Sequence, residues 1–301
     1  MTASLQAAIY ESHQKLGRLG ASYAVWLDPP PVWEVVPALE LLTTSRMTNF
    51  FERAIADWTD NPKDEDIRAA ASRFMRRFNL SVAAPTYLAL AHGVAWELTL
   101  ERISIVMRPD LPLGSVIDLR GLETYVTPER PATWPVEGTA VATLDELRDK
   151  ALRPLFGDVN VRSFEKVLGH VHVSPRLLWS TAAENVDYYY DNAIAILPEG
   201  EERSRYVADR ERLLFGDTLP GIEGETPFKD LLGWDDFRSD PLLPRLLQVR
   251  KVCCVNYVVP GRKPPYCRTC GLITPEQRHE QWRQYMTAPQ TATSVVWPPL
   301  G

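Results

Sequence analysis

Residues Asp64–Leu98 read DEDIRAAASRFMRRFNLSVAAPTYLALAHGVAWEL. Apolar side chains recur here at helical intervals, and a proline within a helical pattern ends or kinks the helix before it. The stretch is therefore expected to form two helices meeting near Pro85. Upstream, PALELLTTSRMTNFFERAIADW places Leu41, Met47, Phe50, Phe51, Ile55 and Trp58 at the same spacing, and Pro29 to Pro31 are expected to separate a short N-terminal helix from it. Downstream, from about Arg102 to Val126, the pieces RISIVMRP, SVIDLRG and ETYVT are β-rich and divided by proline and glycine, which predicts a small antiparallel sheet. Helical periodicity returns in TLDELRDKALRPLF, capped by Thr143, in SPRLLWSTAAENVDYYYDNAIAIL, capped by Ser174 with Pro175 at the first helical position, and in PEGEERSRYVADRERLLF. After FKDLLGWDDF the chain reads as extended through LLQVRKVCCVNYVV, turning at PGRKPP and ending in a helix, TPEQRHEQWRQYM. The tail TAPQTATSVVWPPLG is expected to be poorly ordered.

With 301 residues, of which 45% are hydrophobic, the chain can bury a substantial core without disulfides. Its four cysteines are thus not needed for stability. No basic start followed by an apolar stretch opens the sequence, and no uninterrupted apolar run is long enough to cross a bilayer, so a cytoplasmic protein is expected. A reducing compartment keeps thiols free, which turns a cysteine cluster toward metal binding or redox chemistry. The net charge of -6 gives no reason to expect nucleic-acid binding, but its distribution is uneven. Between Arg245 and Tyr285 eight basic residues face two acidic ones, a local +6 that leaves -12 on the remainder. A basic cysteine-bearing segment suits an anionic ligand or an acidic partner; a plain solvated surface is the competing reading.

All four cysteines lie in that segment, Cys253 and Cys254 adjacent and Cys267 and Cys270 as C-x-x-C. A structural zinc site takes two knuckles of C-x(2-4)-C; Cys267 and Cys270 form one, but the adjacent pair does not. Neighbouring side chains on a strand point to opposite faces, so both reach one centre only where the backbone bends. A binuclear iron-sulfur cluster is wider and more tolerant of an adjacent pair. A disulfide exchanging with the C-x-x-C needs no metal. Spacing alone leaves the three readings open.

The motif C-C-x12-C-x2-C resembles the C-terminal C-C-x10-C-x2-C signature of the FhuF-like ferric iron reductases, the ferric siderophore reductases. ASRFMRRFNLSVAAPTYLALAHG is similar to a helical segment of that family, and LLWSTAAENV, around Trp179 and Asn185, to another, so the resemblance runs from about Thr44 to Ile273. It implies that Cys253, Cys254, Cys267 and Cys270 hold a [2Fe-2S] cluster. It also implies one-electron reduction of siderophore-bound Fe(III) to Fe(II), which hard oxygen donors hold far more weakly. Two extra residues between Cys254 and Cys267 set the chain apart from the family and bear on the shape of that loop. With no G-x-G-x-x-G and no nucleophile elbow in view, the electron is expected from a donor protein such as a ferredoxin or flavodoxin.

The expected fold is α+β, predominantly helical with a small antiparallel sheet and a C-terminal cysteine-rich cluster-binding segment. Its divisions are an N-terminal helix and linker (1–36), a helical FhuF-like body (37–248), a cluster-binding segment (249–286) and a flexible tail (287–301). No catalytic side chain is expected beyond the cluster. Substrate or partner candidates are Arg262 and Lys263 in the PGRKPP turn, Arg268, Tyr188 and His279. His279 is placed as a donor near the sulfurs or as an ordinary solvated helix residue; Tyr188, Tyr189 and Tyr190 cannot all face one side of a helix, so at least one is expected to be exposed and the rest to pack in the core, with Tyr188 the candidate for chelate contact. His170 and His172 flank one valine and read as a surface pair more readily than as metal ligands, and Trp179 as core. The alternative function is a non-enzymatic protein, its C-terminal hairpin stapled by zinc, that binds a siderophore or another protein.

Overall fold

The computed structural model describes residues 2–28, 33–56, 59, 63–108, 111–242, 246–259 and 266–287. Pro29 to Pro31, Trp58, the PGRKPP turn with Arg262 and Lys263, and residues 288–301 of the tail lie outside the described residues. The N-terminal third is helical: α1 (Thr2–Lys15), α2 (Gly17–Ser22), α3 (Ala38–Leu41), α4 (Thr44–Ala56) and α5 (Asp64–Ala91), with the short strands β1 (Ala24–Trp26) and β2 (Glu34–Pro37) between α2 and α3. Met47, Phe51 and Ile55 form the buried stripe of α4, as their spacing predicts.

Asp64–Ala91 is one helix of 28 residues with Pro85 inside it, not two helices meeting at the proline. An interior proline forfeits one backbone hydrogen bond and costs about 3 kcal/mol. Around it, however, every residue from Phe78 to Ala91 is buried, Phe78, Leu88 and Leu90 completely. Each such side chain contributes about 1.5–3 kcal/mol on burial, so packing on all faces outweighs the local defect. Asp64, Glu65 and Asp66 lie in the first turn, where acidic groups complement the helix dipole, and Asp66 accepts from the Lys63 backbone N–H at 2.9 Å.

The chain then enters β3 (Val94–Trp96), β4 (Ile103–Arg108), β5 (Leu111–Ile117), β6 (Thr124–Val126) and β7 (Thr139–Ala140). β4 and β5 pair antiparallel, as expected, at the centre of a four-stranded sheet in the order β1-β5-β4-β2. β1 joins its edge in parallel, and Gly114 permits this: a Cβ there would lie 2.2 Å from the Ala24 carbonyl oxygen. The ETYVT piece leaves this sheet; β6 pairs antiparallel with β3 in a second sheet, order β3-β6-β7. The small sheet foreseen as one unit is therefore two, because β3, positioned by the end of α5, offers β6 a partner distant in sequence.

The helices α6 (Leu144–Arg153), α7 (Val161–Leu168), α8 (Pro175–Ile196) and α9 (Glu201–Phe215) follow, with a π-helical turn over Pro154–Asn160. The caps form as read: Thr143 Oγ1 accepts from Glu146 N at 3.1 Å, and Ser174 Oγ from Arg176 N at 3.2 Å. α8 packs along α5, pinned by Asn79 Nδ2 donating to Thr181 Oγ1 at 3.1 Å and by Asn185 Nδ2 donating to the Arg76 carbonyl at 3.0 Å. The antiparallel pair β8 (Leu232–Asp236) and β9 (Leu246–Arg250) then leads to the cysteines, and α10 (Pro275–Thr287) ends the described chain. Thr274 caps α10 reciprocally with Gln277. The result is a predominantly helical α+β fold with small sheets.

Candidate functional site

β9 ends at Arg250, three residues before the adjacent cysteines, so Cys253 and Cys254 do not sit on a strand. The bend that the adjacent pair requires is present: Val255 has φ 58°, left-handed and strained for a β-branched residue, and its N–H donates to Cys253 Sγ at 3.4 Å. The C-x-x-C arm is a tight turn in which Cys270 N donates to the Cys267 carbonyl at 2.9 Å and Leu272 N to Cys270 Sγ at 3.4 Å. This arm lies against the end of β9, where Arg250 N donates to the Thr269 carbonyl at 2.7 Å. Gly271 makes the approach possible, since a Cβ there would stand 2.4 Å from the Arg250 carbonyl oxygen. All four cysteines are free; Cys254, Cys267 and Cys270 are buried and Cys253 is exposed.

Under the sulfurs lies a buried ion pair. Arg250, 2% exposed, donates through Nη1 to Glu184 Oε2 at 2.9 Å and through Nη2 to Cys267 Sγ at 3.2 Å. Glu184, 1% exposed on α8, also meets Arg76 of α5 at 3.1 Å and accepts from Thr269 Oγ1 at 3.3 Å. Burial opposes the charge of Arg250, but Glu184 together with Cys254 and Cys267 more than offsets it. Hydrogen bonds from Cys254 and Cys270, and then the charge of Arg250, push the Cys267 thiol far below its ordinary range. Cys270, which donates to Cys267 and is partly desolvated, is pushed the other way. The Cys267 sulfur thus lies on the Arg250 guanidinium, with the Cys254 and Cys270 thiols beside it.

Two clefts flank these sulfurs. One, of about 260 Å³, reaches Cys267. The other, of about 290 Å³, reaches Cys254, and Arg76, Tyr188 and Arg268 line both. Tyr188 is half-buried, edge-on to Tyr23 with ring centroids 6.2 Å apart, while Tyr189 and Tyr190 are buried beside Tyr87 and Tyr206. The Arg268 guanidinium lies over the Trp282 ring at 4.9 Å.

His279 sits elsewhere: it pairs with Asp240 and stacks on Phe237 at 4.2 Å, and its partner is that carboxylate rather than a sulfur. The neighbouring Arg278 supports the cysteine arm instead, donating to the Cys270 carbonyl at 2.8 Å and to the Ile273 carbonyl while paired with Asp235. His170 meets Thr48 at 3.1 Å and His172 is exposed. Trp179 packs edge-on against Phe164 at 5.0 Å, as a core residue.

Sequence reasoning missed Arg250, Glu184, Gly271 and Arg278. Glu184 carried a signal, as a carboxylate within the apolar LLWSTAAENV; Arg250 and Arg278 looked like any other surface charge.

Among the described residues, no group of three or more His, Cys, Asp or Glu side chains is arranged to hold a metal ion. The donor chemistry nevertheless fits thiolate-ligated iron: four free cysteines, three of them buried, with N–H donors from Val255, Leu272 and Arg250 directed at three of the sulfurs. Among the described residues no helix is long and apolar enough to cross a membrane. No curated protein matches the chain. Residues 72–232, more than half of the chain and running from within α5 to the start of β8, match the family described as ferric iron reductase FhuF-like transporter, a stretch that holds Arg76 and Glu184 but stops short of the cysteines. On that match the chain belongs to the FhuF-like ferric iron reductase family.

Proposed function

We propose that this protein is a cytoplasmic ferric siderophore reductase of iron acquisition. It would take an electron from a donor protein such as a ferredoxin or flavodoxin and reduce siderophore-bound Fe(III) to Fe(II), which the chelator then releases. The observation that carries the reading is Cys267 hydrogen-bonded to the buried Arg250–Glu184 pair, with clefts that reach Cys267 and Cys254. Cys253, Cys254, Cys267 and Cys270 would hold a [2Fe-2S] cluster, which when bound supplies electrons one at a time, the stoichiometry of Fe(III) reduction. Four thiolates concentrate negative charge; Arg250 compensates it and, with the Leu272 and Val255 N–H groups, stabilises electron-rich sulfur, which favours the reduced state. Glu184 holds Arg250 in place and tempers its charge. Free cysteines suit a reducing compartment.

Anaerobically purified protein is expected to be red-brown, with about two irons and two sulfides per chain, and to bleach on one-electron reduction with a low-temperature EPR signal. Stoichiometric zinc in a colourless fresh preparation would overturn the reading.

A further inference from the structure

Among the described residues, five arginines line the cleft at Cys254. Arg73, Arg76 and Arg77 project from adjacent turns of α5, and Arg250 and Arg268 face them from the cysteine-bearing segment. Among the described residues no aspartate or glutamate lines this cleft. Glu184, outside it, is shared between two of the five, Arg76 and Arg250, and the partner of Arg77 Nη1 is the uncharged Tyr23 hydroxyl at 3.0 Å. Arg73, Arg76 and Arg77 stand at i, i+3 and i+4, so one face of α5 presents three cationic side chains to the cleft.

We infer that this cleft selects ferric chelates whose ligand oxygens leave the complex negatively charged, of the catecholate or hydroxycarboxylate class, over neutral hydroxamate complexes, with Arg73 and Arg77 as the selecting residues. The inference rests on the reductase reading and adds the class of chelate to it. Guanidinium pairs recognise such oxygens bidentately. A chelate seated here lies against Cys254 without displacing any of the four sulfurs. Three of the five arginines lie on α5, within the matched family stretch.

Gallium(III) chelates separate binding from electron transfer, because gallium is not reduced under these conditions. Titrating the cluster-loaded protein by calorimetry with a triply anionic gallium tris-catecholate and a neutral gallium tris-hydroxamate is expected to show at least about tenfold tighter binding of the anion at low salt, with the margin shrinking as salt rises. The Arg73→Glu, Arg77→Glu double variant is expected to abolish that preference, with an unchanged circular dichroism spectrum and cluster absorption. Arg73→Lys with Arg77→Lys should keep most of it, and Arg238→Glu, on an exposed turn, all of it. Equal affinity for the two chelates, or a preference untouched by the double Glu variant, overturns the inference and leaves the reductase reading intact. Failure of a cluster-loaded preparation to bind either chelate also overturns it, whereas loss of the cluster reading is seen separately in the metal and sulfide content.

Discussion

Arg250 shows at the scale of one residue how the site is held. Its two nitrogens join a sulfur of the cysteine arm to a carboxylate of α8. Arg250→Met leaves Glu184 buried with half its compensation, a loss of about 3–5 kcal/mol in urea unfolding. Adding Glu184→Leu is expected to restore most of it, because the uncompensated charge goes with the carboxylate. Gly271→Ala, which drives a Cβ into the Arg250 carbonyl, should instead detach the arm: bound iron falls while the melting temperature of the body changes little.

Two buried histidines, His13 and His92, have their pKa pushed down to about 3, in each case mainly by burial. His13 is lowered further by His92, and His92 by Lys15 and Arg205. His13 Nε2 accepts from Val25 N at 3.0 Å, which requires the neutral ring. The unfolded chain protonates them near the ordinary value of 6.5, so their contribution is complete above that pH. It is lost as pH falls from about 6.5 toward 3, at about 1.4 kcal/mol per pH unit for each. Urea midpoints measured across this range should fall steeply, and His13→Gln should lessen the slope.

Among the elements, helices and strands differ in how far local chemistry specifies them. α6 begins where Thr143 and Glu146 cap each other, and Thr143→Ala is expected to cost about 1 kcal/mol, read as a lower melting temperature. That boundary was legible from four residues. α5 was not, since a proline that breaks an isolated helix is carried through when neighbouring elements bury every face. β6 was recognisable as a strand, but its partner β3 lies across a stretch of chain and was not. The adjacent cysteines demanded a bend, and it is placed at Val255, where no glycine advertised it.

For the molecule as a whole, Cys254, Cys267 and Cys270 are a small part of a core that runs through α5 and α8, so Cys254→Ser is expected to remove the proposed chromophore while far-UV circular dichroism keeps its helical signal. A normal chromophore in that variant would exclude Cys254 as a ligand. Sequence alone determined the fold class, the caps, most helices, the C-x-x-C turn and the basic character of the C-terminal segment, because each depends on residues a few positions apart. Tertiary structure decided the continuity of α5, the division of the sheets, and the meeting of Arg250 with Glu184 across 66 residues. It also decided which arginines face the sulfurs. Charge is a property of the residue, but its partner depends on how α5, α8 and β9 pack, and that packing is the sum of many distant contacts which no local pattern encodes.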